Sequence, residues 1–472
     1  MKNLPTDSIQ FGEGNFMRAF VDYCIQLLNE ETKFKGKVNV VQPIEKGTIS
    51  DLKKQNGQYH VFLEGIIEGK QLRSKHLINC LDELINPFED FKSYLELAEN
   101  KNLTFIFSNT TEAGISHDRN DNFNNKPPAS FPAKLLMLLY HRFEKFNGDP
   151  SSILHIIPCE LIEKNGSKLR EILIEICDSW ELGEKFKNWL ELNKFYNTLV
   201  DRIVPGYPKN EIEFYKKNLP FEDKLMVTCE PFFLWVIEGN EELLEIFPAD
   251  KLKKINVKVV PDLTIYRTRK VRILNGCHTS MVPIGLLCGI ETVSGALNDP
   301  FLKKIVKKAL FEEIIPSIDF DESELKTYAN SVLERFTNPF IIHKLESISL
   351  NSISKFKVRV LPSILLYQKK HGVVPKTLCF AMACLIYFYG KNISSHQYQL
   401  KDEKSNILFF SEIWKDLSIE KIVEQTLGNF SMWDQNLSKN ISLKENVTNS
   451  LKLINSHRNV INAYNYYEDK IV

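Results

Sequence analysis

Two periods of hydrophobicity alternate along the first half of the chain. Short apolar runs of strand length occur at 37–43 (KVNVVQP), 102–110 (NLTFIFSNT) and 152–160 (SILHIIPCE). Longer stretches with apolar residues every three or four positions are interspersed, at 15–31 (NFMRAFVDYCIQLLNEE) and 130–146 (SFPAKLLMLLYHRFEKF); these predict helices. Strands and helices in alternation predict an α/β domain on a mostly parallel sheet. The polar, turn-rich stretch 116–128 (SHDRNDNFNNKPP) predicts a surface loop. Beyond about residue 270 strand-like runs become scarce, and segments such as 300–318 and 322–336 keep only helical spacing. The pattern divides the chain into an α/β domain over 1–264 and a mainly α-helical domain over 265–472.

Composition narrows the class. With 43% hydrophobic and 25% charged residues the chain reads as an ordinary globular protein. Lysine plus arginine equals aspartate plus glutamate at 60 each, which argues against a nucleic-acid partner but leaves room for a local basic pocket. The longest apolar run, around 378–389, is too short to span a bilayer, and the first residues hold no apolar signal core. The expectation is a cytoplasmic protein with no membrane partner. Nine cysteines are scattered without a CxxC or a zinc-like Cys/His spacing, so reduced thiols and no metal site are expected. No heptad seam is visible, which leaves the oligomeric state open.

The segment IQFGEGNFMRAF (9–20) reads as strand, glycine turn and helix. Gly12 and Gly14 allow positive φ and close approach of the backbone. A helix opening near Asn15 offers free amides and a partial positive charge to a pyrophosphate. Phe11, Gly12, Glu13, Gly14, Asn15, Phe16 and Arg18 are therefore candidate cofactor contacts. Met17 stands where the usual fingerprint has its third glycine. The next strand ends at Gln42 rather than at a carboxylate, so the residues alone leave NAD and NADP both open. Two rival readings are a glycine turn of any α/β protein and an S-adenosylmethionine site. Gln42 disfavours the latter, because that cofactor's ribose also calls for a carboxylate.

A second cluster lies in RTRKVRILNGCHTSMVP (267–283). Asn275 and His278 are three apart and share a helix face. Lys270 is expected just before that helix, and Pro283 is expected to bend or end its first turns. A carbonyl reduction needs a proton donor and groups that polarise the oxygen. Lys270 suits the first role if neighbouring cations such as Arg267, Arg269 and Arg272 lower its pKa. Asn275 and His278 suit the second. The competing reading is a solvated lysine, a capping asparagine and a core histidine.

Taken in order, IQFGEGNFMRAFVDY, FSNTTEAGI, PCELIEKNG, LVDRIVPGYP, KVRILNGCHT and RFTNPF resemble the mannitol dehydrogenase family of long-chain polyol dehydrogenases, over about residues 8–362. The resemblance implies an N-terminal Rossmann-type domain, a helical C-terminal domain and reversible hydride transfer between NADH and a sugar-derived carbonyl. It puts the family's catalytic lysine, asparagine and histidine on Lys270, Asn275 and His278. It adds Asp201 from the VDRI segment and Glu112, a candidate proton gate. Gln42 at the end of the second strand, with Asn109 and Thr110 of FSNT, completes the candidate cofactor contacts. Polyol-oxidising members carry an asparagine where this chain has Leu161, which favours a keto sugar acid over a plain polyol. A sugar acid needs basic contacts, and His343, Lys355, Lys357 and Arg359 are the candidates. Rival readings within the family take fructuronate or a mannitol-type polyol as substrate, and another makes the protein a non-catalytic dinucleotide-binding regulator.

Overall fold

The computed structural model describes residues 5–110, 114–209, 211–217, 219–395 and 400–470. The chain forms two compact units. The first comprises Met1–Gly65 and Lys70–Thr264, the second Ile66–Gly69 and Ile265–Val472.

In the first unit, β1 (Thr6–Phe11) runs into α1 (Asn15–Glu31) and then β2 (Lys37–Val41). A hairpin follows, β3 (Tyr59–Ile67) and β4 (Lys70–Ile78), and then β5 (Leu81–Ile85), β6 (Phe105–Ser108), β7 (His155–Pro158) and the short β8 (Lys194–Phe195). Six of these strands make one sheet in the order β5-β2-β1-β6-β7-β8. Every pairing in it is parallel. With the hairpin set aside, this is the doubly wound order 3-2-1-4-5-6, whose direction of winding reverses between β1 and β6. The expected Rossmann-type sheet is therefore present.

Strand alternation builds the two layers around it. Val38, Val40, Phe105, Phe107 and Ile157 face a core shared with α1. Ile9, Phe11, Val41, Ile106 and Ile156 face the other core, shared with helices Phe131–Lys145 and Asn165–Ser179. Both faces of a parallel sheet are thereby covered. Arg142 fastens one side of it: its guanidinium donates to the carbonyls of Ala98, Asn100, Leu103 and Ser152.

Two small sheets complete the unit. One orders β10 (Val227–Cys229), β3 and β4; the other orders β12 (Asn256–Val260), β11 (Leu234–Glu238) and β9 (Thr198–Asp201). Trp235 is fully buried in the α1 core beside Phe20, Phe107 and Phe247.

The second unit is helical, with no strand among its described residues after Ile265. Helix Thr264–Arg269 continues into a π-helical turn, Lys270–Asn275, and then into helix Gly276–Leu287. Two expectations change here. Lys270 lies within the helical run rather than ahead of it, and the helix passes through Pro283 to Leu287. All nine cysteines are free, and no helix is long and apolar enough to cross a membrane among the described residues.

Candidate active site

The carbonyl ends of β1, β6 and β7 finish level, with Phe11 opposite Ser108 and Ser108 opposite Pro158. The ladder then runs one residue further. The Gly12 amide donates to the Val41 carbonyl at 3.0 Å, Asn109 to Phe11 at 3.1 Å and Cys159 to Ser108 at 2.7 Å. Gly12 has φ +116°, and a Cβ there would stand 2.9 Å from the Asn109 carbonyl oxygen. Only glycine meets both demands. Buried Gln10 braces the turn from below, donating to the Gly12 carbonyl at 3.0 Å.

Gly14 differs. Its φ is an ordinary −67°, and a Cβ would meet nothing within 4 Å. It stands at the N-terminus of α1, which has no side-chain cap and no acidic residue in its first turn. The first intrahelical bond runs from the Arg18 amide to the Gly14 carbonyl. The amides of the preceding turn and the helix dipole therefore face open space at the reversal point of the sheet, a setting suited to a pyrophosphate.

The other predicted cofactor contacts divide. Glu13 and Gln42 belong to one buried knot at the end of β2. Glu13 accepts the Thr48 amide at 3.1 Å, and burial raises its carboxyl pKa. Gln42 donates to the carbonyls of Ile44 and Glu45. Gln42 also lines a cavity of about 310 Å³ with Glu45, Lys46, Lys53, Asn86 and Glu89, at the ends of β2 and β5. Arg18 points inward and holds the loop together, donating to the carbonyls of Glu13 and Leu225 and to the Asn15 side chain. The Phe11 ring sits in the core between Tyr94 and Phe131. Phe16 begins an aromatic column through Phe20 to Phe233. These two side chains shape the turn from behind.

Asn109 donates to the Cys159 carbonyl at 2.7 Å. Thr110 gives both its amide and its hydroxyl to Glu160, at 3.0 and 3.1 Å. Sequence reasoning assigned no role to Glu160, because nothing in the CEL segment marks it as the anchor of a neighbouring strand end. The adjacent Leu161 is 60% exposed.

Asp201 ends β9 and is buried; Arg202 after it donates to the carbonyls of Glu230 and Ala19. Glu230 is buried and accepts the Ile203 amide at 2.6 Å. Glu112 lies outside the described residues.

In the second unit the π turn decides the geometry. Lys270 and Asn275 are five residues apart, one π-helical hydrogen-bonded step, so they come back to one side of the helix. His278 follows three residues on in α-helical winding, again on that side. All three candidate residues thus share a face. Lys270 and Asn275 are half-buried; His278 is buried. The His278 ring stacks on Phe336 with centroids 4.0 Å apart and meets His343 edge-on at 5.1 Å. Both contacts fix its plane.

The neighbouring arginines serve the packing. Arg272 donates to the hydroxyls of Ser363 and Ser317. Arg269 lies over the rings of Tyr266 and Tyr328.

The basic candidates also divide. Lys355 and Arg359 are four apart on helix Ser352–Arg359 and share a face. Burial and then Arg359 hold the Lys355 ammonium pKa below its usual range; burial and then Lys355 do the same to His343. His343, Lys355 and Arg359 therefore form one electropositive group, and the Arg359 backbone touches Gly276, next to Asn275. Lys357 points elsewhere and pairs with Asp434 at 2.9 Å. Two residues from either neighbour, it falls on a different side of the helix.

Two family models match the chain. The mannitol dehydrogenase Rossmann domain covers residues 6–246, and the mannitol dehydrogenase C-terminal domain covers 262–455. An altronate oxidoreductase of Yersinia enterocolitica is 42% identical over 95% of this chain and 94% of its own length. The altronate oxidoreductase of Bacillus subtilis is 42% identical over 94% and 91%. Among solved structures, a D-sorbitol dehydrogenase in substrate-free form matches with a TM-score of 0.78 at 18% identity, covering 98% of this chain and 95% of that one. Pseudomonas fluorescens mannitol 2-dehydrogenase, in a ternary complex with NAD and D-mannitol, matches at 0.68 and 16%, covering 99% and 95%. At such identity the likeness is one of fold.

Proposed function

The chain belongs to the mannitol dehydrogenase family, and on that premise we propose that this oxidoreductase of CH–OH groups is an NAD-dependent tagaturonate reductase. The reaction is D-altronate + NAD = D-tagaturonate + NADH, a cytoplasmic step of hexuronate catabolism. The observation that carries the chemistry is the common helix face of Lys270, Asn275 and His278. The substrate is taken from the altronate oxidoreductases that match nearly the whole chain.

The first unit fits a dinucleotide. Gly12 holds the turn in a conformation a side chain would prevent, and Gly14 opens the α1 N-terminus to an anion. When bound, NADH supplies the hydride that reaches the carbonyl carbon. Lys270 gives the proton that the carbonyl oxygen takes up, and recovers it in the oxidative direction. Asn275 and His278 hold that oxygen by hydrogen bonds and stabilise the negative charge it develops. Phe336 and His343 keep the His278 ring in plane for this task. Lys355 and Arg359 offer the uronate carboxylate a cationic berth that a hexitol has no use for, with the His343 ring beside them as a hydrogen-bonding group.

The test is NADH oxidation with D-tagaturonate beside D-fructuronate, and D-mannitol oxidation with NAD. Tagaturonate is expected to give the highest kcat/KM. A preference for fructuronate or mannitol moves the protein to another branch of the family, and NADH binding without turnover makes it a regulator. Lys270→Ala is expected to lower kcat by about 100-fold or more while NADH still binds. Near-wild-type turnover in that variant overturns the lysine's role.

A further inference from the structure

Glu160 lies one residue beyond the ladder that ends β7, and it is 2% exposed. Its carboxylate accepts three hydrogen bonds. Ser108 Oγ donates to one oxygen at 3.0 Å; the Thr110 amide and Thr110 Oγ1 donate to the other at 3.0 and 3.1 Å. All three donors come from the end of β6, on the two sides of Asn109. The carboxylate therefore straddles Asn109.

Asn109 is the residue whose carbonyl oxygen bears on Gly12. Its own side chain is tied to the Cys159 carbonyl, one residue before Glu160. The Glu160 carbonyl is held in turn by Asn165, whose amide also donates to the Pro158 carbonyl and to Thr198 Oγ1. The post-β6 segment is thus clamped to β7 by a side chain that faces no solvent. A buried carboxylate is costly unless its oxygens are satisfied, and here Ser108 and Thr110 satisfy both of them.

The location gives the clamp a direction. In a doubly wound sheet the dinucleotide straddles the reversal point, one nucleotide on each half. Here β1, β2 and β5 form one half, and they meet the glycine turn and the cavity beside Gln42. The strands β6, β7 and β8 form the other half, which would take the nicotinamide nucleotide of a bound dinucleotide.

We propose that Glu160 is a positioning residue for the nicotinamide half of the cofactor, acting through Asn109 and Thr110. It rests on reading the first unit as a dinucleotide site. Removing the clamp frees Asn109–Thr110 while leaving β1, α1 and β2 in place. Affinity is lost for the whole dinucleotide and kept for its adenosine diphosphate fragment.

The experiment measures NADH and ADP binding to the full-length protein by calorimetry, with melting temperatures alongside. In Glu160→Ala the NADH Kd is expected to rise about tenfold, as for a lost charge-assisted anchor, with the ADP Kd within about twofold of wild type. Glu160→Gln is expected to restore most of the NADH affinity. Its amide oxygen still accepts both Thr110 donors, and the Ser108 hydroxyl turns to accept from its NH₂. Thr110→Val removes one donor at nearly constant shape and is expected to weaken NADH by about threefold; it carries the test if Glu160→Ala does not fold. NADH affinity unchanged in Glu160→Ala and Thr110→Val overturns the proposal. So does an equal loss for NADH and ADP, the mark of a structural carboxylate. A wild-type protein that binds no NADH overturns the dinucleotide reading itself.

Discussion

At Gly12 the backbone stands at φ +116° with the Asn109 carbonyl 2.9 Å from any Cβ, whereas Gly14 has ordinary backbone angles and open space beside it. Two adjacent-looking glycines thus answer to different causes, one to the fold and one, on the proposed function, to a ligand. Alanine separates them. Gly12→Ala forces a methyl into the Asn109 peptide at a positive φ, and a cost of about 1–3 kcal/mol is expected as a lower melting temperature. Gly14→Ala meets no protein atom, and its stability cost is expected to stay below about 1 kcal/mol, that of a poorer N-cap. Its methyl intrudes where the pyrophosphate is proposed, so NADH binding is expected to weaken about tenfold. Fluorescence titration with NADH and a thermal melt on both variants check the pair. If Gly14→Ala binds NADH as wild type does, the pyrophosphate does not lie over the α1 N-terminus.

Helix Ser352–Arg359 offers a comparison within one element. Lys355 and Arg359 share one face of it, and Lys355 holds the His343 pKa down after burial, while Lys357 is spent on Asp434. Lys355→Ala and Arg359→Ala are each expected to raise KM for the uronate about tenfold and to leave KM for NADH nearly unchanged. Lys357→Ala is expected to change neither. Steady-state kinetics on the three variants decide; an equal effect from Lys357→Ala removes the carboxylate assignment. Element-level patterns also explain what the sequence disclosed. The helix 15–31 was legible because Met17, Phe20, Val21, Cys24, Leu27 and Leu28 repeat at helical spacing and are buried. The strands KVNVV and FIFS were legible as short apolar runs bounded by turns. The helical continuity of Lys270 was not. Gly276–Leu286 is buried all round, so no polar stripe fixes its phase, and α-helical spacing alone puts residues five apart on different faces. Only the π turn reunites Lys270 with Asn275. Glu160 was hidden for a related reason: its partners are on the neighbouring strand, about fifty positions away.

At the scale of the molecule, burial raises the carboxyl groups of Asp7, Asp22 and Glu313 to about 7. Asp7 and Asp22 belong to the first unit and Glu313 to the second. Asp22, on α1, is fully buried and accepts the Tyr59 hydroxyl at 2.6 Å. Glu313 accepts the amides of Thr377 and Leu378 at the start of helix Lys376–Ser395. In the unfolded chain such groups ionise near about pH 4. Between about pH 4 and about pH 7 the folded protein therefore keeps protons that the unfolded chain has released. Unfolding in that window releases protons, so raising the pH favours it. The stability these groups confer is complete below about pH 4 and is lost as the pH climbs through about 7. Asp22 alone accounts for on the order of a few kcal/mol across the window. Glu420, held down to about 2 by Lys452, works in the opposite sense, but that pair is exposed and exposed pairs contribute little. The urea midpoint, followed by tryptophan fluorescence, is expected to fall from about pH 5 to about pH 7.5. Replacing Trp414 and Trp433 by phenylalanine leaves Trp180, Trp189 and Trp235 to report on the first unit, and the converse replacement reports on the second. Asp22→Asn keeps an acceptor for Tyr59 and carries no charge at any pH, so it is expected to lessen the decline in the first unit, where Asp7 keeps its share, while the second, with Glu313, keeps its own. A midpoint that rises over this range, or an Asp22→Asn profile parallel to wild type, contradicts the burial of these protons.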